Sequence, residues 1–343
     1  MFADLDRERE ILAPLGVEPA IARDQSQETL VASAAGRGGR LPGQLPPRHC
    51  VVRLVSYREG EARRCGILDG DEVADAASVA AAAGVREDCS STRAVLTGGE
   101  RILEALASRV GEVESTPVSE LALGPPVPDP EKILCLGLNY RDHAEEVGAK
   151  APPAPIIFAK FANSLIGPGQ PIVRPAISDE IDYEAELAVV IGRRCRSVSE
   201  AQAMDYVAGG MPFNDVSARD LQMRTSQWTP GKAVDTFAPS GPALVLGMET
   251  GNLQSLRIAA RVNGDTLQSG TTADMIFSIA ETIAFLSQFM TLEPGDMIAT
   301  GTPAGVGFTR DPPVRLRAGD RVEVEVEGLG VLSNPVIDER PPD

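Results

Sequence analysis

The stretch Ile181-Asp-Tyr-Glu-Ala-Glu-Leu-Ala-Val-Val-Ile191 predicts a strand, because its side chains alternate and its end is rich in β-branched residues. Successive side chains of a strand point to opposite faces, so residues two apart share a face. The face that is predicted to pack into the core carries Tyr183, Ala185, Leu187, Val189 and Ile191. The other face presents Glu184 and Glu186 side by side, followed by Ala188 and Val190. The strand is therefore predicted to be half-buried, with two acids on its second face.

These two acids suggest a metal site. Neighbouring carboxylates on a half-buried strand repel each other and resist the loss of hydration. A divalent cation removes both problems, and oxygen ligands of this kind suit Mg²⁺, Mn²⁺ or Ca²⁺. The alternative is that Glu184 and Glu186 are two solvated acids on an edge strand.

A third carboxylate is available from Asp215, which lies in Phe213-Asn-Asp-Val-Ser217 after the break at Gly209-Gly-Met-Pro212. An isolated acid in this position commonly forms a turn or caps a helix, so that alternative stays open. Three carboxylates would leave about three octahedral positions for water and substrate. The three acids and a divalent cation together keep one negative charge, so an anionic substrate needs a nearby cationic side chain. Lys232 is the candidate, and the alternative is an ordinary surface lysine.

Two further features could take part in chemistry. His143 and Glu146 are three residues apart in a predicted helix over 142–147, so they are adjacent on one helical face. Such a pair can orient and activate a water molecule, although it can equally be a surface contact. The Gly-rich run Thr300-Gly-Thr-Pro-Ala-Gly-Val-Gly307 could hold a carboxylate through its backbone N–H groups and hydroxyls. It matches neither a Walker loop nor a dinucleotide fingerprint, and a structural turn is the alternative for Thr302.

Composition narrows the class of protein. The chain has 343 residues, 43% of them hydrophobic and 24% charged, which predicts a globular protein of about two domains. Its net charge of −17 disfavours nucleic-acid binding and would repel an anionic substrate unless a local cation reverses the field. No apolar stretch approaches the roughly 20 residues of a membrane helix. The N-terminus lacks the features of a signal peptide, and the five scattered cysteines form no CxxC pair. These features predict a cytoplasmic protein with buried, inert thiols.

Three segments are expected along the chain. Residues 1–49 include a Gly/Pro/Arg-rich run without periodicity and are predicted to be a flexible extension. Residues 50–125 are predicted to form a small α+β domain, with strands at 51–57, 63–68 and 72–74, an alanine-rich stretch at 76–83 and a helix near 99–108. A stiff proline-rich linker follows at 125–130. Residues 131–338 are predicted to form the main domain.

The main domain is predicted to consist of many short strands and one clear helix over 272–290. Ile276, Ile279, Ile283 and Leu286 recur in that helix at helical spacing. Thr271 and Asp274 provide a start that is similar to a capping box.

Several of these segments together resemble the fumarylacetoacetate hydrolase family. The matching words are Gly137-Leu-Asn-Tyr-Arg-Asp-His-Ala-Glu-Glu146, Phe158-Ala-Lys-Phe-Ala-Asn-Ser-Leu-Ile-Gly-Pro168, Asp182-Tyr-Glu-Ala-Glu186, Asn214-Asp215, Gly231-Lys232, Asp235-Thr-Phe237 and Thr300-Gly-Thr-Pro-Ala-Gly-Val-Gly307. The resemblance covers about 131–336, with a looser match over 51–125. It implies an α+β, predominantly β fold of the mixed β-sandwich roll type with a small N-terminal α+β domain. It also implies a homodimer with one Mg²⁺ or Mn²⁺ per subunit, with Ca²⁺ as a third option.

The resemblance also implies roles for particular residues. The metal ligands would be Glu184, Glu186 and Asp215. His143 and Glu146 match the catalytic dyad that acylpyruvate-cleaving members carry on a mobile lid helix, and Lys232 matches a catalytic lysine that faces the substrate oxygens. The positions that match substrate-binding residues are Lys160, Arg219, Gln222 and Thr302.

The function expected from this resemblance is hydrolysis of a carbon–carbon bond in a 2,4-diketo acid, an acylpyruvate such as fumarylpyruvate. The substrate would be a small anionic keto acid, with neither nucleic acid nor membrane as a partner. Close alternatives use the same metal site: decarboxylation or keto–enol tautomerisation of oxaloacetate-like acids, and isomerisation of a 2-hydroxy-diene dioate. A more distant alternative is a metal-stabilised binding protein without turnover.

Overall fold

The structure, a computed structural model, describes residues 51–247 and 250–340. The predicted extension over 1–49 and Cys50 lie outside the described residues. The strands are β1 Val52–Glu59, β2 Ala62–Asp69, β3 Glu72–Asp75, β4 Ser115–Pro117, β5 Ala122–Gly124, β6 Ile133–Gly137, β7 Ile156–Lys160, β8 Leu165–Ile166, β9 Ile172–Arg174, β10 Ile181–Asp182, β11 Ala185–Ile191, β12 Val207–Asn214, β13 Ser217–Ala218, β14 Ala238–Pro239, β15 Leu244–Leu246, β16 Arg257–Val262, β17 Asp265–Thr271, β18 Met297–Ala299, β19 Arg321–Val326 and β20 Gly330–Asp338. The helices are α1 Ala76–Ala82, α2 Thr92–Arg109, α3 Arg141–Glu146, α4 Glu200–Ala203, α5 Arg219–Gln222, α6 Thr229–Lys232 and α7 Ile279–Phe289.

Two large sheets dominate the described part of the chain. The first has eleven strands in the order β4-β3-β2-β1-β15-β12-β11-β18-β6-β7, with β5 paired to β1. The second has five strands in the order β17-β16-β19-β20-β9. Both sheets are mixed, because β18–β6 and β20–β9 are parallel while their neighbours pair antiparallel. The predicted α+β, mainly β fold is confirmed.

The strand β11 lies at the centre of the larger sheet, between β12 and β18, and both of its faces are buried. Leu187 and Val189 pack into a cluster that the second sheet and α7 also enter. Ala188 and Val190 pack into a separate cluster with β1, α1 and α2. The predicted alternation of faces is therefore confirmed, but the expected half-buried strand is wrong, since a central strand with layers on both sides has no solvent-exposed face. Full burial of each Val or Leu side chain contributes about 1.5–3 kcal/mol.

The predicted single strand over 181–191 is interrupted in the structure. Ile181–Asp182 pairs with β13, whereas β11 begins only at Ala185. Side chains take the place of a strand partner at the break, because Asp182 Oδ1 accepts a hydrogen bond from the N–H of Tyr183 and Asn214 Oδ1 accepts one from the N–H of Glu184. Glu184, the first acid of the site, therefore lies between β10 and β11, outside the regular strand pairing.

The predicted helix over 272–290 begins later than expected. Only a 3₁₀ turn forms at Thr272–Asp274, and α7 starts at Ile279. Asn139 holds the intervening chain outside the helix, because its backbone oxygen accepts from Ile276 N–H and its side chain bonds both backbone groups of Phe277. The capping box is formed by Ser278 and Glu281 rather than at Thr271.

The N-terminal strands lie close to their predicted bounds. The helix predicted near 99–108 begins earlier, at Thr92, and is kinked at Gly99, where φ is 70°. The larger sheet continues across the predicted boundary between segments, since β1 pairs with β15. The division into domains at 50–125 and 131–338 stays a prediction.

Two smaller expectations can be compared with the described residues. The described cysteines are buried, as predicted; they are Cys65, Cys89, Cys135 and Cys195. Among the described helices, none has the length and apolar character to cross a membrane.

Candidate active site

Three buried carboxylates converge where β11 begins and β12 ends. The antiparallel pairing of Ala185 with Asn214 places these two strand ends opposite each other, and the N–H of Asp215 donates to the carbonyl of Glu184 (3.0 Å). Glu184, Glu186 and Asp215 each offer an oxygen, and these oxygens lie within 4.8 Å of one another. The sequence spacing accounts for the two glutamates, while the strand pairing brings in the aspartate. The alternatives of solvated acids and of an isolated turn residue at 215 are wrong.

Protein cations neutralise two of the three acids. Lys232 Nζ lies 2.7 Å from Glu184 Oε2 and 2.8 Å from Asp215 Oδ2, so this lysine is buried in the site and is not a surface residue. Arg219 Nη2 lies 2.7 Å from Glu184 Oε1 and 2.8 Å from Asp182 Oδ2.

These charges shift the pKa values in opposite directions. Burial works to raise the pKa of Glu184, but the charges of Lys232 and Arg219 outweigh it and hold that pKa far below its ordinary value. Burial raises the pKa of Glu186 well above its ordinary value, and the charges of Asp215 and Glu184 raise it further. Among the described residues, no Lys or Arg nitrogen lies within ion-pair distance of Glu186. Glu186 is therefore the acid of the triad that still needs a positive charge.

The short helices α5 and α6 bring the two cationic side chains into the site. A Cβ on Gly231 would lie 2.5 Å from both the Ala218 oxygen and the Gln222 nitrogen, so only glycine lets α6 approach α5 this closely. Gln222 is buried on α5 and accepts a hydrogen bond from Arg219 Nη1 (3.0 Å). The backbone contact between the helices thus places Lys232 against the acids.

Lys160 has a different placement from the predicted contact with substrate. It is buried, its Nζ lies 2.7 Å from Asp215 Oδ1, and it also donates to three backbone oxygens. Those oxygens belong to Val216, Lys232 and Phe237. Burial lowers the pKa of Lys160, although the charge of Asp215 opposes this shift. These contacts favour a role in holding Asp215 over a role in binding substrate.

The predicted dyad is present on α3. His143 Nδ1 lies 3.1 Å from Glu146 Oε2, and the imidazole is buried whereas Glu146 is partly exposed. Burial works to raise the pKa of Glu146, but hydrogen bonds from His143, Thr309 and the N–H of Gly305 hold it below its ordinary value. An ionised carboxylate only accepts hydrogen bonds, so we assign the proton to Nδ1, which leaves Nε2 as a free base. A protonated His143 would lower the pKa of Glu184, so the dyad lies within electrostatic reach of that acid.

The Gly-rich run does hold carboxylates, but they belong to the protein itself. The N–H of Gly301 donates to Glu186 Oε2 (3.0 Å) and the N–H of Gly305 donates to Glu146 Oε1 (2.9 Å). Ala304 donates to Asp142, and Gly307 donates to Asp182. The predicted anion-binding character of this loop is therefore used to fix acidic side chains of the site.

Thr302 lies against the start of β11. Its hydroxyl donates to the carbonyl of Ala185 (2.8 Å) and accepts from Gln268 Nε2 (2.8 Å). Gln268 Oε1 in turn accepts from the N–H of Ala185 (2.8 Å). Both backbone groups of the residue between the two glutamates are thus held by buried side chains. The predicted contact of Thr302 with substrate stays a prediction.

Sequence reasoning missed four buried polar residues that support the site: Asn139, Asp182, Asn214 and Gln268. Three of them lie in or beside the quoted motif words, which was the available signal. Gln268 lies on β17 of the second sheet and has no such signal, because its partners are far away in the sequence.

The triad fits a divalent cation. Its donors are hard carboxylate oxygens, they are buried, and they face one another within 4.8 Å. Glu186 has no Lys or Arg partner among the described residues, and burial raises its pKa, so a bound cation would supply the positive charge that it lacks. Glu184, Glu186 and Asp215 are the residues that would hold the ion.

A known protein family matches more than half of this chain. The family model described as fumarylacetoacetate (FAA) hydrolase C-terminal matches residues 132–337. The chain belongs to this family.

Family relatives carry different activities in their names. Oxaloacetate tautomerase FAHD2A, mitochondrial, from Homo sapiens is 46% identical over 245 residues, which cover 71% of this chain and 78% of the relative. The crystal structure of 2-hydroxyhepta-2,4-diene-1,7-dioate isomerase from Mycobacterium marinum is 30% identical, with a TM-score of 0.66, and the match covers 84% of this chain and 100% of that one. The crystal structure of maleylpyruvate hydrolase from Sphingobium sp. SYK-6 is 31% identical, with a TM-score of 0.69 and coverage of 84% and 100%.

Proposed function

We propose that this family member is a divalent-metal-dependent keto–enol tautomerase of oxaloacetate. The convergence of three buried carboxylates, within electrostatic reach of the His143–Glu146 pair, carries the proposal, because this arrangement can both bind a 2-keto acid and move its proton. The identity to relatives named oxaloacetate tautomerase favours tautomerisation over the hydrolysis that the sequence led us to expect.

The electrostatics of the site suit an anionic keto acid only when a cation is bound. The buried carboxylates in and next to the site are Asp182, Glu184, Glu186 and Asp215, and the buried lysine and arginine side chains that pair with them are Lys160, Arg219 and Lys232. With all seven ionised, one negative charge remains, and a divalent cation turns it into one positive charge. A carboxylate of the substrate can then enter despite the chain's net charge of −17.

The proposed proton transfer needs one base. A bound divalent cation would draw electron density from the 2-oxo group and so acidify the C3 hydrogens. His143 Nε2 accepts a proton from C3 and returns one to the 2-oxo oxygen, and the reverse transfers convert enol to keto. Glu146 stabilises the imidazolium between the two transfers. The substrate neither gains nor loses atoms, and no water is consumed.

The direct test follows the ultraviolet absorbance of enol oxaloacetate as it converts to the keto form. We expect Mg²⁺ or Mn²⁺ to accelerate the decay over the buffer rate in the presence of the protein, and EDTA or His143→Asn to abolish the acceleration. A decay at the buffer rate with metal present would overturn the proposal. A control variant, Glu145→Gln, changes an exposed residue of the same helix and should leave the rate unchanged.

Acylpyruvate hydrolysis is a second candidate, supported by the His143–Glu146 pair and by the likeness to maleylpyruvate hydrolase. Here the dyad would activate a water that attacks the 4-carbonyl, the C3–C4 bond would break, and pyruvate would leave. Pyruvate release from fumarylpyruvate, measured with lactate dehydrogenase, tests it. The same assay on oxaloacetate detects decarboxylation, and a hydroxy-diene diacid tests the isomerase alternative.

The identity of the metal, the homodimer and the cytoplasmic location remain proposals. Thermal unfolding with Mg²⁺, Mn²⁺ and Ca²⁺ would rank the metals, and light scattering would give the subunit number. The human relative is named as mitochondrial, which does not support the cytoplasmic location; fractionation of cells that make the native protein would decide it.

A further inference from the structure

One hydroxyl group contacts the proposed dyad from outside its helix. Thr309 Oγ1 donates to Glu146 Oε1 at 2.8 Å, while the other oxygen of that carboxylate faces His143 Nδ1 at 3.1 Å. The N–H of Gly305 donates to the same Oε1 at 2.9 Å. A carboxylate is planar, so two donors on one oxygen determine where the second oxygen points. Gly305 and Thr309, which bind Oε1, therefore orient Oε2 towards His143.

The helix itself cannot fix this direction. α3 has six residues, and so short a helix depends on tertiary contacts for its stability and orientation. Its acidic side chains supply such contacts, because Asp142 Oδ2 accepts from the N–H of Ala304 and Glu146 accepts from Gly305 and Thr309. All three donors lie on one loop, residues 304–309, which we call the latch loop.

The middle of the latch loop is fixed to Asp182 on β10. The N–H groups of Gly307 and Phe308 donate to the two carboxylate oxygens of Asp182 (2.8 and 3.1 Å). A Cβ on Gly307 would lie 2.5 Å from Asp182 Oδ1, so the close approach requires glycine. The Phe308 ring also lies 4.4 Å from the guanidinium carbon of Arg219, which pairs with Glu184.

We propose that Thr309 is a positioning residue that orients the His143–Glu146 dyad relative to the three carboxylates of the site. The hydroxyl has one proton and two acceptors in reach, Glu146 Oε1 and the carbonyl of Val306 (2.9 Å). Hydrogen bonds to charged acceptors are roughly twice as strong as neutral ones, so the carboxylate takes the proton. Thr309 thus keeps Glu146 facing His143. Because the same loop also binds Asp182, it holds the dyad at a fixed position relative to Asp182.

The test uses the small number of histidines. The chain has only two, His49 and His143, so a His49→Gln background with ¹⁵N-labelled histidine shows His143 alone. In this background we expect the Nδ1–H tautomer with a slowly exchanging, low-field proton. Thr309→Val and Thr309→Ala should give a mixture of tautomers with a rapidly exchanging proton, and Thr309→Ser should restore the parent spectrum. Thr266→Val, on an exposed residue of β17, is the matched control.

The kinetic readout separates positioning from general damage. We expect the two hydroxyl deletions to lower kcat on the order of 10-fold, with KM and the metal concentration for half activity within about twofold of the parent. A parent-like His143 spectrum in both deletions would overturn the proposal, as would an equal loss in Thr309→Ser. The inference rests on the dyad of the proposed function, but the spectrum is recorded without substrate or metal. If the protein lacks tautomerase activity, we still expect the spectral change in the two deletions. Failure of the proposed function can therefore be distinguished from failure of the proposed role of Thr309.

Discussion

Glu186 differs from its two neighbours in the triad by having no basic partner among the described residues. Glu184 and Asp215 are each held by two cationic side chains, whereas Glu186 accepts only a backbone N–H at its Oε2. Burial and the two adjacent acids raise its pKa. Ionising Glu186 without a metal is therefore unfavourable in free energy, and a bound cation would remove this penalty.

The first prediction concerns the substitution Glu186→Gln. The amide keeps the shape and removes the charge, so we expect an unchanged or higher Tm without metal. The Tm rise produced by Mg²⁺ or Mn²⁺ should disappear, with affinity weakened by at least the roughly 10–100-fold that follows loss of an outer partner of a metal ligand. Thermal unfolding with EDTA and with metal measures both effects. Glu323→Gln, on β19 away from the site, should respond to metal like the parent.

The second prediction concerns the pH dependence of the Glu146 contribution. Its pKa is below the ordinary value of 4.5, so its stabilising effect is complete at neutral pH and is lost as the pH falls through the lowered pKa. We expect Glu146→Gln to be less stable than the parent at neutral pH, with a difference that shrinks below pH 4.5. Urea unfolding at stepped pH values measures it. A difference that grows in acid would contradict the assigned hydrogen bonds.

At the element scale, the start of α7 shows how tertiary contacts override a helical pattern. Ile276 has the spacing of a helix face, yet its N–H donates to the backbone oxygen of Asn139 and the α-helix begins only after Ser278. Ser278 and Glu281 then satisfy each other's backbone N–H groups. The apolar face of the actual helix, with Ile283 and Leu286, packs into the core between the sheets.

The third prediction compares the two candidate helix starts. Ser278→Ala should lower the free energy of unfolding by about 1 kcal/mol, because it removes the cap of an 11-residue helix. Thr271→Ala should cost less, since Thr271 caps only a 3₁₀ turn through a 3.3 Å hydrogen bond. Denaturant unfolding of both variants measures the difference. A larger loss for Thr271→Ala would instead support a helix that begins at 272.

At the scale of the whole molecule, the net charge opposes the proposed substrate. A charge of −17 repels a dicarboxylate at long range, and only the local cations and a bound metal reverse this inside the site. Salt screens the long-range repulsion more than the short-range attraction in the buried site.

The fourth prediction is that salt speeds the encounter with substrate. With metal kept saturating, kcat/KM for oxaloacetate should rise as ionic strength increases from about 0.01 M to about 0.15 M, where the Debye length falls from roughly 30 Å to roughly 8 Å. Steady-state rates at low substrate concentration measure the effect. A fall in kcat/KM over this range would mean that the surface attracts anions towards the site, contrary to the net charge.

Much of the fold and the candidate site could be predicted from the sequence by itself. Side-chain alternation along 181–191 is a local property of the strand, so both faces were predictable. The spacing of His143 and Glu146 likewise determines their contact within one helix. The motifs that resemble the fumarylacetoacetate hydrolase family added Asp215, Lys232 and Arg219 to the predicted site.

The ion pairs and hydrogen-bond partners of the site residues became known only from the tertiary structure. Burial of both faces of β11 follows from its central place between layers, and no local pattern in 181–191 shows that place. The lysine at 160, the carboxylate at 182 and the amide at 268 obtain their roles from partners on other strands and loops. Hydrogen bonds and charges act over a few ångströms of space regardless of sequence distance, so these roles exist only once the chain has folded.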